Sequence, residues 1–137
     1  YELIEWIIKS ELLEPIKPLL NAGMIFEAIV LMLNNISANS VFYKKALKLE
    51  GAVTFNQIAM KCVYEMFMNI INEKSTGKKS KYRWLTPEVI STYYAQSLCF
   101  ITEGWIAQGM DDIEPKEMAE AYMYLITRSM DDILSEL

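Results

Sequence analysis

Residues 86–110 read TPEVISTYYAQSLCFITEGWIAQGM, and this stretch decides the fold. Thr86 offers an oxygen to the orphan amides of a helix start. Pro87 suits the first helical position, and Glu88 sits at the positive end of the dipole. Gly109 supplies a left-handed stop. At about 100° per residue, Ile90, Tyr94, Leu98, Ile101 and Trp105 share one face. Val89, Tyr93, Phe100 and Ala107 share a second. Ala95, Cys99, Thr102 and Ile106 make a third, narrower and with smaller side chains. No continuous charged stripe remains. A helix apolar all round is covered all round, and a chain of 137 residues is too small to cover every face by itself. The pattern therefore predicts that one face meets a second copy of the chain.

Composition sets the bounds. The length suits one domain with a real core, and 53% hydrophobic residues argue against disorder. The longest uncharged run, Ala28 to Tyr43, is short for a membrane span and carries Asn34, Asn35 and Asn39, so no membrane partner is expected. Tyr1 leads directly into Glu2 and Glu5, without a signal-peptide pattern. A net charge of −5 gives the chain no general attraction for phosphate backbones. Cys62 and Cys99 both lie mid-helix among apolar neighbours, the pattern of buried thiols in a reducing compartment such as the cytoplasm. The chain has no histidine. That removes the commonest general base and the His-bearing metal motifs. No paired carboxylates converge on an apolar helix face. No enzyme activity, catalytic residue, metal or cofactor is expected.

The rest of the chain is also helical. Glu2 to Leu13 carries Leu3, Ile4, Ile7 and Ile8 on one side, with Trp6 and Leu13 on the other. Pro15 and Pro18 are expected to bend or end this helix, and Asn21-Ala22-Gly23 forms a turn. Met24 to Ala38 buries Ile25, Ile29, Met32, Leu33 and Ile36. Asn39 caps a short helix, Ser40 to Leu49, that turns Phe42, Ala46 and Leu49 inward. Thr54 caps a helix to about Glu73, with Phe55, Ala59, Cys62, Val63, Met66 and Ile70 as its core stripe. Lys74 to Trp84 (KSTGKKSKYRW) is basic and aperiodic, which reads as a surface loop. Pro115 starts the last helix, which runs to about Ser135 with Met118, Tyr122, Leu125, Ser129 and Ile133 on one strip. Ala119, Met123, Ile126, Met130 and Leu137 lie on the strip beside it. No strand pattern is present. The expected architecture is all-α, with six helices, and the last two carry more apolar face than one core needs.

These residues resemble a known family. YELIEWIIKSEL at the start is similar to the fourth helix of a TetR-family transcriptional regulator. Phe100…Trp105-Ile106-x-x-Gly109-Met110 with Pro115-x-Glu117-x-Ala119 resembles the family's last two helices. Asn39-x-x-Phe42-Tyr43-x-x-Ala46-Leu47 resembles the short sixth helix of a low-GC Gram-positive branch that includes activators of dihydroxyacetone kinase operons. The resemblance implies a C-terminal effector-binding and dimerisation domain, with a helix-turn-helix domain expected upstream and DNA contacted only through it. It implies a homodimer built as a four-helix bundle from the last two helices. Ala95, Cys99, Thr102, Ile106, Ala119, Met123, Ile126 and Met130 are the expected interface. It also implies an effector cavity between the second, fourth and fifth helices, lined by Met32, Ile36, Cys62, Met66, Tyr94, Ser97, Leu98 and Ile101. Methionine makes such a wall adaptable, and Tyr94 and Ser97 can orient a polar group. The competing reading is a dimerisation module with a filled core, regulated by a protein partner. Glu103 is expected at the dimer rim.

Overall fold

A computed structural model describes residues 1–51, 53–75, 77 and 80–137. Among the described residues there are seven helices and no strand. Helix α1 spans residues 2–21, and α2 to α4 are Ile25–Ala38, Ser40–Leu47 and Phe55–Lys74. The remaining three, α5 to α7, are Pro87–Ala107, Pro115–Thr127 and Met130–Glu136. No single helix is long and apolar enough to cross a membrane.

The central helix starts and stops where its sequence says it should. Thr86 Oγ1 accepts from the Val89 amide at 3.3 Å, and Pro87 opens the first turn. Gly109 takes φ +93°, and Met110 comes next at +65°. Trp105 Nε1 donates to the Ile113 carbonyl at 2.8 Å, which holds the turn after α5 against the core. Helix α4 opens with a full capping box: Thr54 Oγ1 accepts from the Gln57 amide, and the Gln57 side chain accepts from the Thr54 amide.

Helix α1 departs from expectation. It runs through Pro15 and Pro18 as one rod, because residues Ile8–Leu13 form a π-helical turn between two α-helical segments. The Glu14 amide donates to the Lys9 carbonyl, five residues back. Pro15 has no N–H to give Glu11, and Asn35 Nδ2 donates to the Glu11 carbonyl at 3.1 Å instead. The wide turn takes up one extra residue and re-phases the rest of the rod by about 100°. That explains why Leu13, placed beside Trp6 by a uniform helical wheel, is 5% exposed while Trp6 is 65% exposed.

Helices α4 and α5 pack along each other, α6 packs mainly on α2, and the π turn of α1 lies across α2 and α4. Two expected inward positions, Ile25 and Leu49, are exposed. Tyr43 takes the inward position in α3 at 0% exposure. Its hydroxyl donates to a Glu11 carboxylate oxygen at 2.9 Å, tying α3 to the π turn. Burial, then the Glu11 carboxylate, push the phenol well above its usual range. The last helix of the sequence reading is two. Arg128 is extended, and Ser129 Oγ accepts from the Asp132 amide at 3.1 Å to start α7.

Of the basic stretch Lys74 to Trp84, Thr76, Lys78 and Lys79 lie outside the described residues. The described residues after Lys74 form neither helix nor strand. Lys74 closes α4, and its Nζ donates to the Asn21 carbonyl at 2.9 Å, meeting the negative end of α1.

Candidate functional site

The interior holds a cavity of about 40 Å³ where α1, α2, α4 and α5 meet. Ile8, Leu12 and Leu13 of the π turn form one wall, and Met32 and Ile36 a second. Phe55, Ala59 and Val63 come from α4; Leu98, Cys99, Thr102, Glu103 and Ile106 come from α5. Helices α2, α4 and α5 contribute to its wall, and α1 completes it.

Of the eight residues expected at an effector site, Met32, Ile36 and Leu98 line this cavity. Cys62 and Met66 are buried but face a separate cleft with Lys9 and Glu65. Tyr94 is exposed and packs edge-on against Tyr93, with ring centroids 5.2 Å apart. Ser97 is bonded to the Tyr122 hydroxyl at 2.7 Å, and Ile101 sits at the margin of the core. These five are therefore displaced from the cavity wall. Sequence reading missed the α1 contribution, because the re-phasing at the π turn has no periodic signature. It also placed Cys99, Thr102 and Ile106 on a partner-facing side.

The cavity exposes only apolar surface. The Thr102 hydroxyl is shielded from solvent and has no hydrogen-bond partner among the described residues. Glu103 beside it is half-buried, and one carboxylate oxygen accepts from Asn56 Nδ2 at 2.6 Å. Burial raises the Glu103 carboxyl above its ordinary value, and the Asn56 bond offsets part of that. Burial also pushes the Cys99 thiol up to about 12. Glu103 borders a surface groove as well, shared with Phe100, Gly104 and Ala107.

The expected interface residues divide. Ala95, Cys99, Ile106 and Ala119 are buried within one subunit, so their surface is already used. Thr102, Met123 and Ile126 are half-buried, and Met130 is exposed. The face of α5 that remains open is the other one. Tyr93 and Phe100 are 64% and 76% exposed, and Gln96, Gly104 and Ala107 continue the same strip.

The chain is thus an all-α domain with a small apolar cavity among four of its helices. The family TetR_C_8, described as "Transcriptional regulator C-terminal region", matches residues 24–128, well over half of the chain. The chain belongs to this family of TetR-type regulator C-terminal domains. No curated protein and no solved structure matches it.

Proposed function

We propose that this domain is the non-enzymatic regulatory part of a cytoplasmic transcriptional regulator. It forms a homodimer, and a small apolar or amphipathic effector entering the α1/α2/α4/α5 cavity alters operator binding by an upstream helix-turn-helix. The observation that carries the reading is the outward strip of α5. Phe100 is 76% exposed in the middle of a 21-residue helix, and Tyr93 two turns earlier is 64% exposed. In a two-fold dimer the same strip meets itself, which makes an isologous contact. Tyr93, Gln96, Phe100, Gly104 and Ala107 form its centre, and Met130 is the exposed member of the expected interface set.

The cavity gives the effector a place to act on α1, since Ile8, Leu12 and Leu13 are in its wall. A ligand that favours one setting of α1 shifts the spacing of two DNA-reading helices relative to half-sites one turn apart. Coupling of about 1–3 kcal/mol is ordinary for such a device. The Asn39–Leu47 pattern supports a place near the activators of dihydroxyacetone kinase operons.

The smallness of the cavity, about 40 Å³, favours one other reading: a dimerisation module with a filled core that answers to a protein partner. Sedimentation velocity and a thermal-shift ligand series test the two together. Dimers with a dose-dependent rise in melting temperature support the effector reading. Dimers indifferent to every ligand support the filled core, and monomers at all concentrations refute both.

A further inference from the structure

We infer that the cleft between α1 and α4 takes a free α-amino acid with an apolar side chain: its ammonium group meets Glu14, its carboxylate meets Lys17 and Asn69, and its side chain lies against Leu13, Cys62 and Met66. This cleft is separate from the cavity among α1, α2, α4 and α5, with Leu13 as the one residue that borders both. The inference does not rest on the effector reading.

The seam between α1 and α4 is a ladder of ion pairs. Glu5 meets Lys61 at 3.3 Å, Lys9 meets Glu65 at 3.3 Å, and Lys17 meets Glu73 at 3.6 Å. Every rung joins residues 56 apart in sequence. The next rung at that offset falls on Leu13 and Asn69, which cannot form an ion pair. There the seam opens into a cleft of about 250 Å³. The two rungs that frame it, at Lys9 and Lys17, stand about 12 Å apart along α1. Leu13 closes the π turn, a feature often found at functional sites.

The cleft divides its chemistry as such a ligand requires. Leu13, Cys62 and Met66 are buried and give it an apolar side. Glu14 and Lys17 stand one turn apart on α1, line the same space and do not pair with each other. Glu14 has no ion-pair partner among the described residues. Lys17 holds Glu73 at 3.6 Å, too long for a hydrogen bond, so its ammonium donors remain to be used. Asn69 adds an amide from the α4 side. An α-amino acid carries ammonium and carboxylate on one carbon, so a single ligand satisfies both members of this unpaired couple. A simple carboxylate leaves Glu14 unmatched, and a simple amine leaves Lys17 unmatched. Size agrees. At the scale of benzene, six carbons in roughly 150 Å³, the cleft has room for about ten non-hydrogen atoms, and leucine or methionine has about nine.

The test compares leucine with its two one-charge analogues, 4-methylpentanoate and 3-methylbutylamine, and with glycine, by titration calorimetry and thermal shift. Leucine is expected to bind about tenfold tighter than either analogue, the worth of one charge-assisted hydrogen bond, and about tenfold tighter than glycine, which has no apolar body. Lys17→Gln is expected to bring leucine to the affinity of 3-methylbutylamine and to leave that amine unchanged. Glu14→Gln is expected to bring leucine to the affinity of 4-methylpentanoate and to leave that acid unchanged. Both side chains reach solvent, so neither substitution threatens the fold. Leucine that binds no tighter than its analogues, a leucine advantage that survives either substitution, or no binding at roughly millimolar concentration overturns the inference. The effector cavity is untouched by any of these results, because Glu14 and Lys17 are not in its wall.

Discussion

Replacing Phe100 with Asp separates the proposed interface from the core. Phe100 is 76% exposed in the single chain, so nearly all of its apolar surface remains to be buried by a partner. Burying a Phe side chain is worth about 1.5–3 kcal/mol, and ordering costs leave roughly two thirds of it, or about 1–2 kcal/mol per subunit. A two-fold dimer uses the residue twice, so losing both copies costs about 2–4 kcal/mol, roughly a 30- to 1,000-fold weaker Kd. The aspartate adds a desolvation penalty that moves the loss toward the upper figure. The subunit itself should be nearly indifferent, within about 0.5 kcal/mol, because the side chain supports nothing internal. Ala95→Arg is the control with the opposite signature. Ala95 is 0% exposed, so an arginine there overpacks the core and buries a charge, and the subunit unfolds before the dimer question arises. Sedimentation velocity across micromolar concentrations, with urea denaturation of each variant, reads both quantities. A Phe100→Asp protein that remains as dimeric as the parent refutes the placement of the interface on this strip.

The interior gives three further expected outcomes. Trp105→Phe removes the bond to the Ile113 carbonyl and part of a buried ring, and should lower stability by about 1–3 kcal/mol; the urea midpoint falls with the slope unchanged. Burial raises the Cys99 thiol to about 12 and Cys62 to about 11, so both stay protonated near neutral pH. A thiol reagent should label them slowly in the native protein and fully in denaturant, and fast native labelling would mean that the α4/α5 seam opens. Glu103 carries a raised carboxyl in the folded chain, so folding favours its protonated form. Its contribution to stability is full below the unfolded value near 4.5 and is lost as pH rises through the folded value. Glu103→Gln should flatten that part of the stability-versus-pH curve, and an identical curve for the two proteins would show that the side chain is solvated.

The caps of α4 and α5, Thr54 and Thr86, are readable in the sequence because they are local, whereas Asn39 makes no side-chain cap. Thr54, Thr86 and Gly109 do in the structure what their positions in the sequence require, since a cap needs only its own four or five neighbours. The long rod of α1 is not readable in that way. Pro15 ends a helix by the usual rule, and the rule fails here because a π turn and the Asn35 side chain, 24 residues away, absorb the missing donor. Tyr43 is not among the inward positions read for its helix, yet the Glu11 carboxylate gives its hydroxyl a partner and lets the ring go fully inside. The central helix shows the same limit at larger scale. Periodicity separates three apolar faces on α5 but carries no label for which one meets α4. Sequence reading gives the small face to a partner. Packing turns most of it into the subunit's own core and leaves the aromatic face outside.

That exchange of faces changes what Glu103 can do. With the small face outward, a carboxylate at residue 103 would be a rim charge exposed to salt, and its state would matter little to the fold. With the small face inward, Glu103 borders the cavity on one side and the groove holding Phe100, Gly104 and Ala107 on the other. Its contact with Asn56 also ties it to the first turn of α4. One side chain then touches the space an effector would fill and the strip a second subunit would cover. Burial already raises the Glu103 carboxyl, and neutralising it lowers the cost of covering it with a second subunit. Linkage requires that protonation and dimerisation influence each other equally. Mild acid should therefore tighten the dimer, and the effect should disappear in Glu103→Gln. Measuring the dimer Kd by sedimentation at neutral and mildly acidic pH, in both proteins, gives that factor directly. Equal dimer constants at the two pH values in the parent protein refute the coupling.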